Sequence, residues 1–183
     1  MTLRFVRGYA LGFVMAMGSL AMGCSDSDGS GSGSDSGSGS GSSSEFAGLF
    51  SGPSADATPD SLLGLWGGTI QSNGVTFDVR FQFSQSSVTL ATRCTLSDGQ
   101  SSEIVGVTAK ARVGEDGYTV LESKEQRKDD GKVLCQVTLR PREVTRCPDD
   151  SFATKQGCFE LSGTTFVQYE TPIEKLALTK LSD

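Results

Sequence analysis

Histidine is absent from the 183 residues. That absence excludes Ser-His-Asp and Cys-His catalysis, His-ligated zinc and an imidazole switch near neutral pH. Carboxylate and Ser-Lys chemistry survive the exclusion but find no site. Serine is abundant, yet no Gly-x-Ser-x-Gly elbow or Ser-x-x-Lys pattern stands in a supporting context. The acidic pairs Asp129-Asp130 and Asp149-Asp150 are sequence neighbours. Adjacent side chains in a strand or turn point apart, so these are solvated loop charges and neither a catalytic dyad nor a metal site. The chain therefore reads as a non-enzyme with no cofactor. Basic residues are also short, 16 against 22 acidic ones, which argues against a nucleic-acid backbone or anionic headgroups as partner. Long apolar runs are missing too. The longest, Gly8 to Gly23, is 16 residues, short of the roughly 20 that a membrane-spanning helix needs.

That run is nevertheless informative. Arg4 and Arg7 precede it, and only Ser19 within it is clearly polar, the pattern of a secretory signal peptide. It ends in Leu20-Ala21-Met22-Gly23-Cys24, which resembles the lipobox of bacterial lipoproteins, although the family prefers leucine where Ala21 stands. The resemblance implies a signal peptide over 1–23, cleavage between Gly23 and Cys24, and a diacylglycerol on the Cys24 sulfur, with a further acyl chain such as palmitate on the new amine. One chain binds a membrane marginally and two or three hold permanently, so the partner implied here is a membrane, through lipid alone. In the same family an aspartate directly after the cysteine favours inner-membrane retention. Ser25 occupies that place, which points to the outer membrane. Removing residues 1–23 takes both leading arginines and leaves 14 basic against 22 acidic side chains.

Residues 24–44 follow as the lipidated cysteine and a linker of Ser, Gly and Asp alone. Nothing in the linker buries apolar area against the entropy of ordering, so it is expected to be a disordered tether with a root-mean-square reach of roughly 25 Å. Residues 45–61 are transitional. Phe46, Leu49 and Phe50 could pack as a short helical turn on the domain, and Pro53 and Pro59 bracket an irregular stretch.

From Leu62 to Asp183 the hydrophobic period is two. Val75, Phe77, Val79, Phe81 and Phe83 alternate with Thr76, Asp78, Arg80 and Gln82, as in a half-buried strand. Ser72-Asn73-Gly74 joins this segment to a strand over Leu63–Gln71. Further strands are expected over Ser87–Leu96, Glu103–Val113, Tyr118–Arg127, Lys132–Arg140, Cys158–Ser162, Thr164–Glu170 and Lys175–Leu181, with Pro141–Gly157 an irregular excursion. About nine short strands and no helix of any length describe an all-β domain, an up-and-down barrel or a sandwich. Concealing the edge strands favours closure.

Cys94, Cys135, Cys147 and Cys158 make an even set beside Cys24, and in an exported chain an even set reads as two disulfides. Cys94 and Cys135 share the apolar faces of their strands, and Cys147 and Cys158 flank a loop that they could staple. The pairing Cys94–Cys135 with Cys147–Cys158 is favoured over the other two connectivities.

Gly64-Leu65-Trp66 at the opening of the first strand resembles the Gly-x-Trp signature of lipocalins and lipocalin-like bacterial lipoproteins. The resemblance implies a barrel whose closed end is plugged by Trp66. The family's later Thr-Asp-Tyr-type motif is absent. Where a last-strand arginine packs on the tryptophan in that family, Lys180 is the only counterpart. Two functions follow as expectations. The barrel is expected to be a receptor for a small apolar ligand, with Trp66, Phe77 and Phe81 lining the site. Alternatively it is a protein-interaction module, an inhibitor or assembly factor, that works through loops such as Pro141–Gly157. The state of the interior separates the two: a barrel filled by Trp66, Phe77, Phe81 and Phe83 leaves its outer surface to carry the function.

Overall fold

In the computed structural model of the chain the described residues are 2–7, 9–14, 45–50, 61–148, 155–171 and 174–181. The expected cleavage and lipidation positions, Gly23 and Cys24, lie outside them, as do the Ser/Gly linker, Pro53, Pro59 and Asp149-Asp150. At the N-terminus β1 (Thr2–Arg7) and β2 (Tyr9–Val14) pair as a two-stranded antiparallel sheet of their own, with β1 beside the later strand Leu134–Leu139.

The domain is all-β and closes into a nine-stranded barrel. Strands β3 (Gly64–Ser72), β4 (Val75–Phe83), β5 (Ser87–Leu96) and β6 (Val105–Gly114) form a continuous antiparallel meander. Its register carries the alternation directly into the core. Phe83 faces Val88, Phe81 faces Leu90 and Phe77 faces Cys94 across β4 and β5, and all six are buried. The intervening Thr76, Asp78 and Arg80 point outward and are partly exposed.

After β6 comes the short β7 (Gly117–Val120), which pairs with both β6 and β10 (Arg142–Arg146). Closure continues through β11 (Cys158–Ser162), β12 (Thr165–Tyr169) and β13 (Lys175–Lys180), and β13 returns to β3. Between β7 and β10 the chain leaves the barrel sheet to make a hairpin of β8 (Lys124–Asp129) and β9 (Leu134–Leu139). Every residue of β8 is exposed, whereas Val133, Cys135, Val137 and Leu139 on alternate positions join the barrel core. The hairpin is thus an inserted flap with one wet strand, β8, and one strand, β9, in which Leu134 and Thr138 on the other face are buried as well.

Three expectations are corrected. Tyr118–Arg127 is two strands, because the chain breaks at Leu121–Ser123 after Leu121 N–H donates to Lys110 O at 2.9 Å. Leu121 is left 46% exposed there. Pro141–Gly157 is not wholly irregular, since it contains β10. That strand has only one apolar residue, Val144, which pairs with Tyr118, so its sequence lacks the alternation that marks the others. The barrel is also mixed rather than purely antiparallel. β10 and β11 run parallel over Thr145↔Cys158 and Arg146↔Phe159, the outcome of returning the chain through the Cys147–Cys158 excursion.

Candidate functional site

Three places bear on function: the barrel interior, the stapled excursions, and the outer face of β4–β6.

Among the described residues the interior is lined by closely packed aromatic side chains. Trp66, Phe77 and Phe81 all face inward and are buried. Trp66 lies 5.7 Å from Phe166, which in turn lies 5.5 Å from Phe159 and 5.9 Å from Phe83. Phe83 stacks on Phe81 at 5.6 Å and meets Tyr118 at 5.0 Å. Such ring pairs add to the area term that already makes each aromatic a major core contributor. At the start of β3 the Trp66 indole N–H donates to Leu62 O at 2.8 Å, and Lys180 Nζ stands over the ring. Gly64 holds φ +121°, a conformation that a side chain would strain, so the first residue of the Gly-x-Trp pattern is required by its backbone.

One polar cluster interrupts this lining. Tyr118 Oη donates to Gln168 Oε1 at 2.6 Å, Gln168 Nε2 donates to Glu170, and Arg142 Nη1 reaches the two Glu170 oxygens at 2.9 and 2.8 Å. A void of about 10 Å³ beside it, lined by Phe81, Tyr118, Val120, Leu139, Arg142 and Gln168 among others, has room for about one water. Burial pushes the Tyr118 phenol well above its ordinary value, with the Arg142 guanidinium pulling the other way. The cluster therefore keeps a neutral phenol and a paired carboxylate. It satisfies the inward polar groups of Tyr118 and Gln168.

Both cysteine pairs are disulfides, Cys94–Cys135 and Cys147–Cys158. The first ties the flap to β5 at the centre of the core. The second closes the excursion after β10, where Cys147 N–H donates to Phe159 O at 2.8 Å and Arg146 donates from Nε to Glu115 O at 2.8 Å. An open groove of about 360 Å³ lies at this end, between the β6–β7 turn and β10, lined by residues that include Arg112, Glu115, Thr119, Glu143 and Thr145. Among the described residues no group of three or more acidic or cysteine side chains is arranged to hold a metal.

The third place was only partly visible in sequence. Phe46 opens a single 3-10 turn, Ala47–Leu49, that sits against the outside of the barrel. Its ring is 3% exposed and lies under two guanidiniums, Arg80 at 4.9 Å and Arg93 at 5.8 Å. Arg93 also pairs with Glu45. Leu49 lies over Gly106, where an added Cβ would be 3.2 Å from Leu49 Cδ1. Burying Phe46 and part of Leu49 contributes about 3 kcal/mol. Ring–cation and ion-pair contacts add about 2 kcal/mol. Ordering residues 45–50 opposes this with about 6 kcal/mol of backbone entropy. Gain and cost balance to within about 1 kcal/mol, so the turn is only marginally held.

Comparison with protein-family models, with curated proteins and with solved structures returned no match to this chain.

Proposed function

We propose that the chain is a lipid-anchored protein of the bacterial cell envelope, held through Cys24, whose β domain is a non-enzymatic interaction module for a protein partner. The observation that carries this reading is the filled interior. Trp66, Phe83, Phe159 and Phe166 are each fully buried and in mutual or shared contact, and the void beside Tyr118 is water-sized. A receptor for a small apolar ligand needs a few hundred Å³ of enclosed room, and close packing of these rings supports a barrel that works from outside. Work is then left to the outer face and to the loops. Lipidation supplies residence, the Ser25–Ser44 tether supplies reach, and Ser25 directly after the anchor favours the outer membrane. Two disulfides suit an oxidising compartment.

Titrating the lone Trp66 fluorescence with long-chain fatty acids tests the division of labour. The expected result is no saturable change. A saturable shift at one equivalent would assign the domain to the small-ligand class instead.

A further inference from the structure

Asn73 is the chain's single asparagine, and Gly74 follows it. The two form the tip between β3 and β4, whose last paired residues are Ser72 and Val75. We propose that Asn73 is a site of spontaneous covalent modification in the folded protein: it cyclises onto the Gly74 backbone nitrogen, loses ammonia and hydrolyses to aspartate and isoaspartate. The inference is independent of the interaction-module reading.

The hairpin itself calls for these two residues. Asn73 at φ +51° is the one non-glycine residue of positive φ among the described residues, and Gly74 has φ +76°. Two left-handed positions in succession make the type I′ tip that matches the twist of the flanking strands. Asparagine visits that region because its side chain is short and polar, and glycine does so without steric cost. The tightest available turn therefore sets an amide carbon beside a backbone nitrogen that no Cβ shields.

Three features leave this pair reactive in the folded state. Gly74 N–H has no hydrogen-bond acceptor among the described residues, so ring closure at that nitrogen breaks no ladder bond. Both residues are exposed, which gives water access to the Asn73 amide. A Cβ added to Gly74 would meet only Ser97 Cβ, at 3.9 Å, so the tip has room to rotate. Among the described residues the amide is held only by a long bond, Nδ2 donating to Ser72 Oγ at 3.4 Å. The comparable Asp-Gly turns lack the free nucleophile. Gly99 N–H donates to Leu96 O at 2.9 Å, and Gly131 N–H donates to Asp129 Oδ1 at 2.8 Å.

The step balances with water as the single co-reactant. Hydroxide takes the Gly74 amide proton as the nitrogen attacks Asn73 Cγ. The N–Cγ bond forms, the Cγ–Nδ2 bond breaks, and the leaving nitrogen takes a proton from water to depart as ammonia. Water then opens the five-membered imide. Attack at Cγ gives aspartate, and attack at the backbone carbonyl carbon reroutes the main chain through the side chain as isoaspartate. One water is consumed, one ammonia is released, and the tip gains one negative charge. Aspartate suits the same tip. Isoaspartate adds a main-chain carbon between Ser72 and Val75 and no longer fits a two-residue connection.

The test incubates the lipidated mature protein in detergent micelles at mildly alkaline pH, beside a free peptide with the sequence of residues 69–78. Peptide mass spectrometry follows residue 73 in both. The folded protein is expected to convert no more than about tenfold more slowly than the peptide. Gly74→Ala should slow conversion at least tenfold in the protein and in its matching peptide. Urea below the onset of unfolding should leave the rate in wild type unchanged. Conversion more than tenfold slower than the peptide overturns the proposal, as does a rate that rises in step with the unfolded fraction. Equal rates for wild type and Gly74→Ala also overturn it, because the chemistry would then not pass through the Gly74 nitrogen.

Discussion

Lys180 Nζ stands 5.1 Å from the centre of the Trp66 ring and donates to Ser61 O at 2.9 Å. The last strand thereby caps the side chain that opens the first, and β13 pairs with β3 at this residue, Lys180↔Trp66. An ammonium over an indole contributes about 1 kcal/mol, and here it also satisfies a carbonyl just before the barrel begins. Lys180→Ala should lower unfolding stability by about 1–2 kcal/mol in urea titrations, and Lys180→Arg should recover most of the ring contact. Indistinguishable midpoints for wild type and Lys180→Ala would show that the contact adds nothing.

The disulfides should differ in weight. Cys94 and Cys135 are 41 residues apart and Cys147 and Cys158 are 11 apart. In the chain-entropy account the first closure is worth about 4 kcal/mol and the second about 3. The Cys94→Ala/Cys135→Ala double variant also frees the β8–β9 flap from β5, so protease should cut the flap first. Non-reducing peptide mapping of wild type should recover neither alkylated Cys94 nor alkylated Cys147.

Much of the fold was legible because its strands alternate. Val75–Phe83 and Ser87–Leu96 have the bounds that their alternation marks, and the turn at Ser72-Asn73-Gly74 links β3 to β4. What was hidden has a common cause. β10 is a polar strand whose inward Arg142 is balanced by Glu170 just past the end of β12, and pairing across 28 residues leaves no local pattern. The β7–β8 break falls within apparent alternation, since Val120 and Leu121 are both apolar while only Val120 is buried. The seat of the Phe46 turn depends on smallness at Gly106, and a glycine in a strand carries no signal until a neighbour lies over it.

Tyr118 should make stability fall at alkaline pH. Its folded-state value is raised above the ordinary 10.0, chiefly by burial. The neutral phenol is thus tied to the folded state, and the unfolded chain releases its proton first. Stability is full below about pH 10 and declines as pH rises beyond it, by up to about 1.4 kcal/mol per pH unit. In Tyr118→Phe the part of that decline due to this group should vanish. A wild-type curve that is flat from pH 9 to 11 would contradict the assignment.

Anchoring is tested at Cys24 and Ser25. Cys24→Ala should leave an uncleaved or soluble species that no longer enters the detergent phase. Ser25→Asp should move the protein from outer-membrane to inner-membrane fractions on a sucrose gradient. Co-migration of wild type and Ser25→Asp with inner-membrane markers would overturn the outer-membrane proposal and leave lipidation untouched.

The central claim is that the barrel is filled by its own side chains and acts from outside. Native mass spectrometry of the protein extracted from its own membrane tests this most directly. The predicted spectrum shows one species, the mature polypeptide with two disulfides and its covalent lipid, unchanged by mild collisional activation. A second species heavier by a constant few hundred daltons, lost on activation and absent from a Trp66→Ala variant that still folds, would place a guest inside the barrel and contradict the account.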